Sequence, residues 1–319
     1  MTEFNEDQRR PIARPVASST NPHPRRSDRQ DRPLTAGNTV SASGGDRPTP
    51  RPSIKRAGRR DLQAIRDGLL PRDVAILQSV STHRFLTTRH IQSLYFHSHG
   101  SPLAATRSTN RVLSRLKNLR LIDHLERRVG GIRAGSASYI WQLASAGDRI
   151  VQLEAGNSVH RRLREPSLRL LDHTLAVADI HVALTEATQR NALELVTVDV
   201  EPGSWRQFLG LGGERRLLRP DLAVVTAQGE FEDHWFIEAD LSTEHPPTVI
   251  RKCQLYEDYR ASGVEQEARG IFPRILWVVP NQKRADKLTT AIQGSRLDQD
   301  LFRVITMRQL VDVVIGGAA

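Results

Sequence analysis

The stretch at residues 106–117, TRSTNRVLSRLK, decides how the N-terminal half of the chain is interpreted. Within it and just beyond it, Val112, Leu113, Leu116 and Leu119 recur at the spacing of one helix face. Cations and small polar groups occupy the other positions: Arg107, Ser108, Asn110, Arg111, Arg115 and Lys117. The stretch therefore predicts a helix that buries an apolar face and leaves its cations available outside.

The segments on either side of this helix indicate the fold of residues 69–160. Before it, Pro71 can open one helix, and Thr87 is a plausible N-cap for a second. After it, residues 121–129 and 139–143 alternate as strands around the glycine-rich turn at 130–136. Three helices followed by a two-stranded hairpin form the order of a winged helix-turn-helix domain, which a helix from about Ser145 would close.

Two features indicate that this domain contacts double-stranded DNA. A recognition helix needs cations opposite its packing face, and the hairpin adds Arg127, Arg128 and Arg133 for a flanking phosphate or the minor groove. The chain of 319 residues carries a formal net charge of +10, which favours a polyanionic partner. The alternative is a winged helix that docks proteins and whose arginines are merely solvated.

The composition of the chain argues against several other kinds of protein. No run approaches the roughly 20 apolar residues of a membrane-spanning helix, and the N-terminus lacks an apolar signal-peptide core, so we expect a cytoplasmic chain without a membrane partner. Aromatic residues make up 5% of the chain, which argues against a surface that stacks single-stranded bases. Cys253 is the single cysteine, so disulfides within the chain and a cysteine-based zinc site are excluded.

Residues 1–68 are rich in Pro, Arg, Ser, Thr, Gly and Asp, with no apolar period. Such a segment cannot bury enough apolar surface to offset its ordering entropy, so we predict a disordered basic tail with order beginning near Leu69. Two roles stay open for the tail: an arm that scans phosphates, or a plain linker.

Residues 167–316 show a second pattern, in which helices and buried strands succeed one another. The predicted order is a long helix, three strands, a helix, a strand, a helix and a last strand, followed by a short helix. This order implies an α/β domain with a mixed sheet flanked by helices, so the whole chain is of the α+β class. Gly210 to Gly213 lack the context of a phosphate-binding loop and are interpreted as a hairpin turn.

Four residues of this half could carry chemistry. Asp221 opens one strand, Glu238 and Asp240 lie two apart on another, and Lys252 lies on the following helix. Neighbouring antiparallel strands would bring Asp221 and Glu238 to one Mg²⁺ or Mn²⁺ ion, which activates water, while Lys252 would stabilise charge on a phosphate. The alternative is an acidic strand end that is solvated or paired with Arg251 and Lys252. His173, on the long helix, could approach the carboxylates, although a lone helical histidine is more often structural.

Several of these segments, in this order, resemble the replication-relaxation family of bacterial plasmids and integrative elements. The resemblance runs from about residue 70 to 290 and rests on residues 86–91, 111–116, Gly147, His173, Asp179, Pro220, Asp221, 238–240, Lys252 and Tyr256. It implies a DNA-handling protein of a mobile element, with other replication or conjugation proteins as further partners.

The C-terminal half is also similar to the PD-(D/E)XK nuclease fold. By position, this similarity implies Asp221 and Glu238 as metal ligands, with Asp240 standing where that fold has its lysine. Lys252 resembles a lysine relocated to the next helix. Because Asp240 replaces the lysine of that fold, the similarity does not decide whether this chain cleaves DNA.

Three functional hypotheses follow from the sequence. The first is a DNA-binding replication, relaxation or mobilisation factor, and the second is a metal-dependent endodeoxyribonuclease. The third is a winged-helix transcription regulator with an inert C-terminal domain. The sequence leaves the DNA target and the oligomeric state open.

Overall fold

The computed structural model describes residues 10–11, 59–129, 138–155 and 166–317. Most of the predicted tail lies outside these residues, as does the turn that contains Arg133. The first described element, β1 (Arg10–Pro11), pairs antiparallel with residues 231–232.

Order begins earlier than the predicted onset at Leu69, because a helix already covers Arg59–Asp67. Leu62, on this helix, is buried in the same core as Ile76 and Ile150. Two apolar residues, Leu62 and Ile65, in an otherwise mostly charged and polar segment were too weak a pattern to predict this helix.

The remaining elements of the N-terminal half follow the predicted order of helices and hairpin. They are α1 (Arg59–Asp67), α2 (Pro71–His83), β2 (Leu86–Thr87), α3 (Thr88–Tyr95), α4 (Pro102–Asn118), β3 (Ile122–Val129), β4 (Ser138–Leu143) and α5 (Ser145–Ala155). The strands form an antiparallel sheet in the order β2-β4-β3.

Local sequence explains where α3 and α4 begin. The Thr87 hydroxyl accepts a hydrogen bond from the backbone N–H of His90 at 3.1 Å, and the Ser101 hydroxyl accepts one from Ala104 at 3.2 Å. Pro102 occupies the first turn of α4, so this helix starts before the predicted residue 106. Along α4 the side chains of Ala105, Thr109, Val112, Leu113 and Leu116 are buried, which confirms most of the predicted apolar face. Leu119, predicted to face inward as well, is exposed, because it lies at the C-cap where the helix ends.

The junction between β3 and α5 requires a glycine. A Cβ atom at Gly147 would lie 1.9 Å from the carbonyl oxygen of Leu121, far inside van der Waals contact. Only a residue without a side chain therefore allows α5 to pack this closely against the start of the hairpin.

The C-terminal half contains the elements that were predicted, together with two short strands, the helix at Val264–Arg269 and a 3-10 helix that were not. They are α6 (Leu168–Gln189), β5 (Glu194–Val200), β6 (Arg206–Leu209), β7 (Arg215–Leu218), β8 (Leu222–Gln228), β9 (Phe231–Ala239), α7 (Pro246–Ala261), α8 (Val264–Arg269), β10 (Arg274–Val279), α9 (Gln282–Gln293), a short 3-10 helix (Gln299–Leu301), β11 (Phe302–Thr306) and α10 (Leu310–Ile315). Strands β6 and β7 form a separate antiparallel pair, and residues 210–213 are its turn, as predicted.

Five strands form one mixed sheet in the order β11-β10-β9-β8-β5, which confirms the predicted α/β architecture. Neighbours β5, β8 and β9 run antiparallel, whereas β9, β10 and β11 run parallel. Helices α7 and α9 cover one face with a core that includes Tyr256 and Leu288. Helices α6 and α10 cover the other face, through residues such as Leu184 and Leu310.

Helix α6 also packs against the N-terminal half. Leu171 and Leu175 form a cluster with Phe85, Leu125 and Ile140, and Ala178 belongs to the core of helices α1 to α5. Within the described residues, no helix combines the length and the apolar character needed to cross a membrane.

Candidate functional site

A pocket of about 400 Å³ opens where α6, the ends of β8 and β9, and α7 meet. Its lining includes His173, Asp221, Glu238, Asp240, Lys252 and Trp277. All four side chains predicted to carry chemistry therefore border one cavity, together with the histidine of the long helix.

The pairing of β8 with β9 brings the first two carboxylates together. Leu222 pairs with Ile237, so Asp221, just before β8, lies beside Glu238 on β9. The Asp221 carboxylate accepts a hydrogen bond from the backbone N–H of Ala239 at 2.8 Å. Its other oxygen lies 3.1 Å from Nε2 of His173 on α6. The predicted juxtaposition of the two carboxylates is thus what the strand register produces.

Glu238 is nearly inaccessible and is held by two groups from α7. The ammonium of Lys252 donates to one carboxylate oxygen, and the hydroxyl of Tyr256 donates to the other. Lys252 and Tyr256 are four residues apart, so they share one face of the helix. This spacing was the sequence feature that could have assigned Tyr256 to the site on geometric grounds.

The charges in the pocket are mutually dependent. Burial raises the pKa of Glu238 to about 8, although Lys252 and Tyr256 act in the opposite direction. Burial also works against ionised Asp221, but the hydrogen bond from His173 and the charge of Lys252 outweigh it and lower the pKa of Asp221. The same hydrogen bond raises the pKa of His173. Burial opposes the charge of Lys252, yet the nearby Glu238 and Asp221 raise its pKa. The pocket therefore holds an ionised Asp221, stabilised by His173 and Lys252, beside a Glu238 that burial keeps largely protonated at neutral pH.

Asp240 lines the pocket, and its carboxylate is occupied by an arginine from α9. Its carboxylate accepts hydrogen bonds from Nε of Arg284 at 2.5 Å and from Nη2 at 3.1 Å, and Arg284 is itself buried. The backbone N–H of Ser242 donates to Asp240 as well. Asp240 thus anchors α9 to the end of β9. Sequence reasoning missed Arg284 because the two residues are far apart in the chain.

The oxygen donors of Asp221 and Glu238 suit a hard divalent cation, which binds few carboxylates and keeps several waters. Among the described residues, however, no group of three or more His, Cys, Asp or Glu side chains is arranged to hold a metal ion. Lys252 and His173 already contact the two carboxylates. A bound cation would therefore compete with these two side chains for the same oxygen atoms.

Helix α4 exposes a second group of predicted residues. Arg107, Asn110 and Arg111 lie exposed on the side opposite the buried face, and Ser108 is half-buried within 3.5 Å of Arg111. In the part of the chain that the structure describes, neither Arg107 nor Arg111 forms an ion pair with a carboxylate. These two guanidinium groups are therefore available to an external anion.

The other predicted cations of this region differ in their surroundings. Arg115 donates to the fully buried carboxylate of Asp73 at 2.5 Å, which corrects its prediction as a free surface cation. Lys117 contacts Nε2 of His124 at 2.6 Å. Arg127 and Arg128 lie on β3, and their side chains, like the whole of Arg133, fall outside what the structure describes.

Comparison with known proteins adds one finding to this geometry. A family model described as replication-relaxation matches residues 77–275, a span that includes α4 and every carboxylate of the pocket. No curated protein and no solved structure gives a significant match. Because the match covers more than half of the chain, this protein belongs to the replication-relaxation family.

Proposed function

We propose that this chain binds duplex DNA and acts in the replication, relaxation or mobilisation of a bacterial plasmid or integrative element. Membership of the replication-relaxation family indicates a role in replication or relaxation of such DNA. The observation that carries the DNA contact is the outer face of α4, where Arg107 and Arg111 are exposed one helical turn apart. Guanidinium groups placed in this way can bind phosphates or the edge of guanine.

The arrangement of the first half supports a winged-helix assignment. A strand precedes α3, and β2, β4 and β3 form one small sheet beside α4. In this proposal, α4 is the recognition helix and the β3–β4 hairpin is the wing. We propose that this DNA-binding domain covers about residues 69–160, preceded by α1, and that the α/β domain covers about 167–316.

The test is a double substitution, Arg107→Ala with Arg111→Ala, measured as binding to a labelled duplex over a range of salt concentrations. We expect affinity to fall at least tenfold. The slope of log affinity against log salt concentration should become less steep by about two, since each lost phosphate contact reduces it by roughly one. The free energy of unfolding should not change, because both side chains are exposed.

The matched control is Arg296→Ala with Arg308→Ala, which removes the same charge from exposed positions outside α4. If the α4 variant kept the affinity and the salt slope of the control, the assignment of α4 as the DNA-binding helix would be wrong.

A second candidate function, metal-dependent DNA nicking, is favoured by the meeting of Asp221, Glu238 and Lys252 in one pocket. Asp221 and Glu238 would hold a Mg²⁺ or Mn²⁺ ion, which would supply activation of a water molecule. Lys252 would then neutralise charge on the scissile phosphate, and His173 would orient Asp221. The PD-(D/E)XK nuclease resemblance supports the same assignment of residues.

This candidate is tested with supercoiled plasmid, incubated with and without Mn²⁺, using the full chain and Asp221→Ala. Nicking that requires the metal and disappears in the variant is the expected result for a nuclease. A mobility shift without cleavage in either protein would instead leave a DNA-binding factor on an inactive nuclease scaffold. Binding confined to one operator, with no effect of metal, would favour a transcription regulator.

A further inference from the structure

The β6–β7 hairpin stands apart from the five-stranded sheet and leads directly into the pocket. Strand β7 ends at Leu218, and Arg219 and Pro220 are the only residues between it and Asp221. Each strand has four residues, so the hairpin reaches about 13 Å from its base. The foot of the hairpin therefore lies close to the pocket.

The base of the hairpin is firmly anchored. Phe208 and Leu218 are buried in the core beneath α7, and the ring of Phe208 packs 5.1 Å from that of Tyr259. Arg216 forms an ion pair with Asp258, and Arg206 forms one with Glu265 at 3.0 Å. An isolated two-stranded hairpin is marginally stable in water, so these contacts hold it in a defined direction.

The outer face and the tip of the hairpin, by contrast, are exposed to solvent. Leu211, at the tip, is fully exposed, and Leu209 is 60% exposed. Arg215 pairs with Leu209 across the two strands and is exposed as well. Gly213, in the turn, has a φ of +79°, a conformation that side chains with a Cβ rarely adopt. The turn thus exposes one leucine beside two charged side chains, those of Arg215 and Glu214.

The arginines of the hairpin differ in whether a carboxylate pairs with them. Arg219, at the foot of the hairpin, lies over the ring of Trp205 at 4.9 Å, which holds its guanidinium in place. Within the described residues, neither Arg215 nor Arg219 forms an ion pair with a carboxylate. Arg215 and Arg219 are therefore open to an external anion, although the exposed Glu214 adjoins Arg215. Arg206 and Arg216, on the inner face, are by contrast neutralised.

From this arrangement we propose that the β6–β7 hairpin is a second DNA-contacting element, which enters the major groove of a duplex beside the pocket. The major groove admits a two-stranded ribbon, and an exposed leucine can pack against base edges there. Arg215 would contact a phosphate or a base edge, and Arg219 a phosphate nearer to Asp221. The proposal rests on the duplex binding proposed above and adds a contact site in the other half of the chain.

The first experiment compares the full chain with Leu211→Ala plus Arg215→Ala, using a labelled random-sequence duplex of about 40 base pairs. We expect a five- to tenfold loss of affinity and a salt slope less steep by about one, because one phosphate contact is removed. Arg296→Ala is the control for charge. A variant that binds as the control does would overturn the proposal.

The second experiment places a photoreactive benzoylphenylalanine at position 211 of the full chain and maps its products. Cross-links to the duplex support the proposal, whereas cross-links only to another copy of the chain, or none, overturn it. The variant with Arg107→Ala and Arg111→Ala separates the two proposals. If this variant loses affinity for the duplex while the hairpin variant does not, only the proposal for the hairpin is rejected. Failure of the unmodified chain to bind duplex rejects both.

Discussion

Lys252 shows how a residue in the pocket can serve both folding and function. Its ammonium contacts the carboxylate of Glu238, which is only 1% exposed. Removing one partner of a buried ion pair leaves a charge without compensation, which is costlier than removing both. The same pairing keeps Lys252 beside Asp221, where a phosphate group could reach it.

We predict that Lys252→Met lowers the free energy of unfolding by about 3 kcal/mol at pH 9 and by less at pH 7, where burial keeps Glu238 largely protonated and no bare charge is left behind. Tyr256 continues to donate to Glu238, but one hydrogen bond cannot replace the ammonium. Urea denaturation measures the change. The control combines Lys252→Met with Glu238→Gln and should regain most of the lost stability. A single variant as stable as the unmodified chain would show that the pair contributes little.

At the scale of elements, α2 and α6 meet through two histidines. Nε2 of His83 lies 2.8 Å from Nδ1 of His181, and the two rings stack. Burial, together with the charge of neighbouring histidines, lowers the pKa of His83 to about 3 and that of His181 to about 4. Both rings are therefore neutral in the folded chain at mildly acidic pH.

We predict that His83 and His181 together lower the free energy of unfolding as the pH drops from 7 to 5. Glu238 and His173 contribute in the opposite direction, because their raised pKa values favour the folded chain at lower pH. The unfolded chain protonates His83 and His181 below about pH 6.5, whereas the folded chain does not, so protons on these two rings favour unfolding in this window. Each of the two contributes a loss of about 2 kcal/mol by pH 5. Urea titrations at several pH values measure the free energy of unfolding of the unmodified chain and of His83→Gln. At pH 5, relative to its own value at pH 7, the free energy of unfolding of the variant should be about 2 kcal/mol more favourable than that of the unmodified chain. Equal pH dependence of the two proteins would contradict the prediction.

At the scale of the whole molecule, α6 belongs to two cores. Leu171 and Leu175 pack against the β3–β4 hairpin, while Ile180 and Leu184 pack against the five-stranded sheet. Polar contacts also join α6 to α3: His90 meets Asp179 at 2.8 Å, and Ser93 donates to Glu186 at 2.7 Å. The helix that carries His173 of the pocket therefore also supports α3.

We predict that both halves unfold in one cooperative transition, because neither can lose α6 without exposing apolar surface. Calorimetry tests this through the ratio of the calorimetric to the van't Hoff enthalpy, which should be close to one. Leu171→Ser with Leu175→Ser should weaken the link and separate the transitions. Two well-resolved transitions in the unmodified chain would contradict the prediction.

Much of the element order could be predicted from the sequence, because it depends on short-range patterns. The spacing of Val112, Leu113 and Leu116 predicted the buried face of α4, and the alternation of strands predicted the mixed sheet. The β6 and β7 strands were not predicted, because each has only four residues and its charged residues interrupt the alternation of apolar positions. Helix α1 was not predicted either, because charged residues surround its few apolar positions.

The sequence by itself determined the types of residue that could form a site and the strands that would carry them. Asp221 and Glu238 could be placed together from strand pattern alone, because side chains alternate at a fixed period. Only the tertiary structure decided the partners of each charge: Arg115 pairs with Asp73, Asp240 with Arg284, and Glu238 with Lys252 and Tyr256. The physical reason is that a buried charge is stabilised by whichever opposite charge or donor the packed helices bring within about 3 Å, and that choice depends on contacts between distant segments.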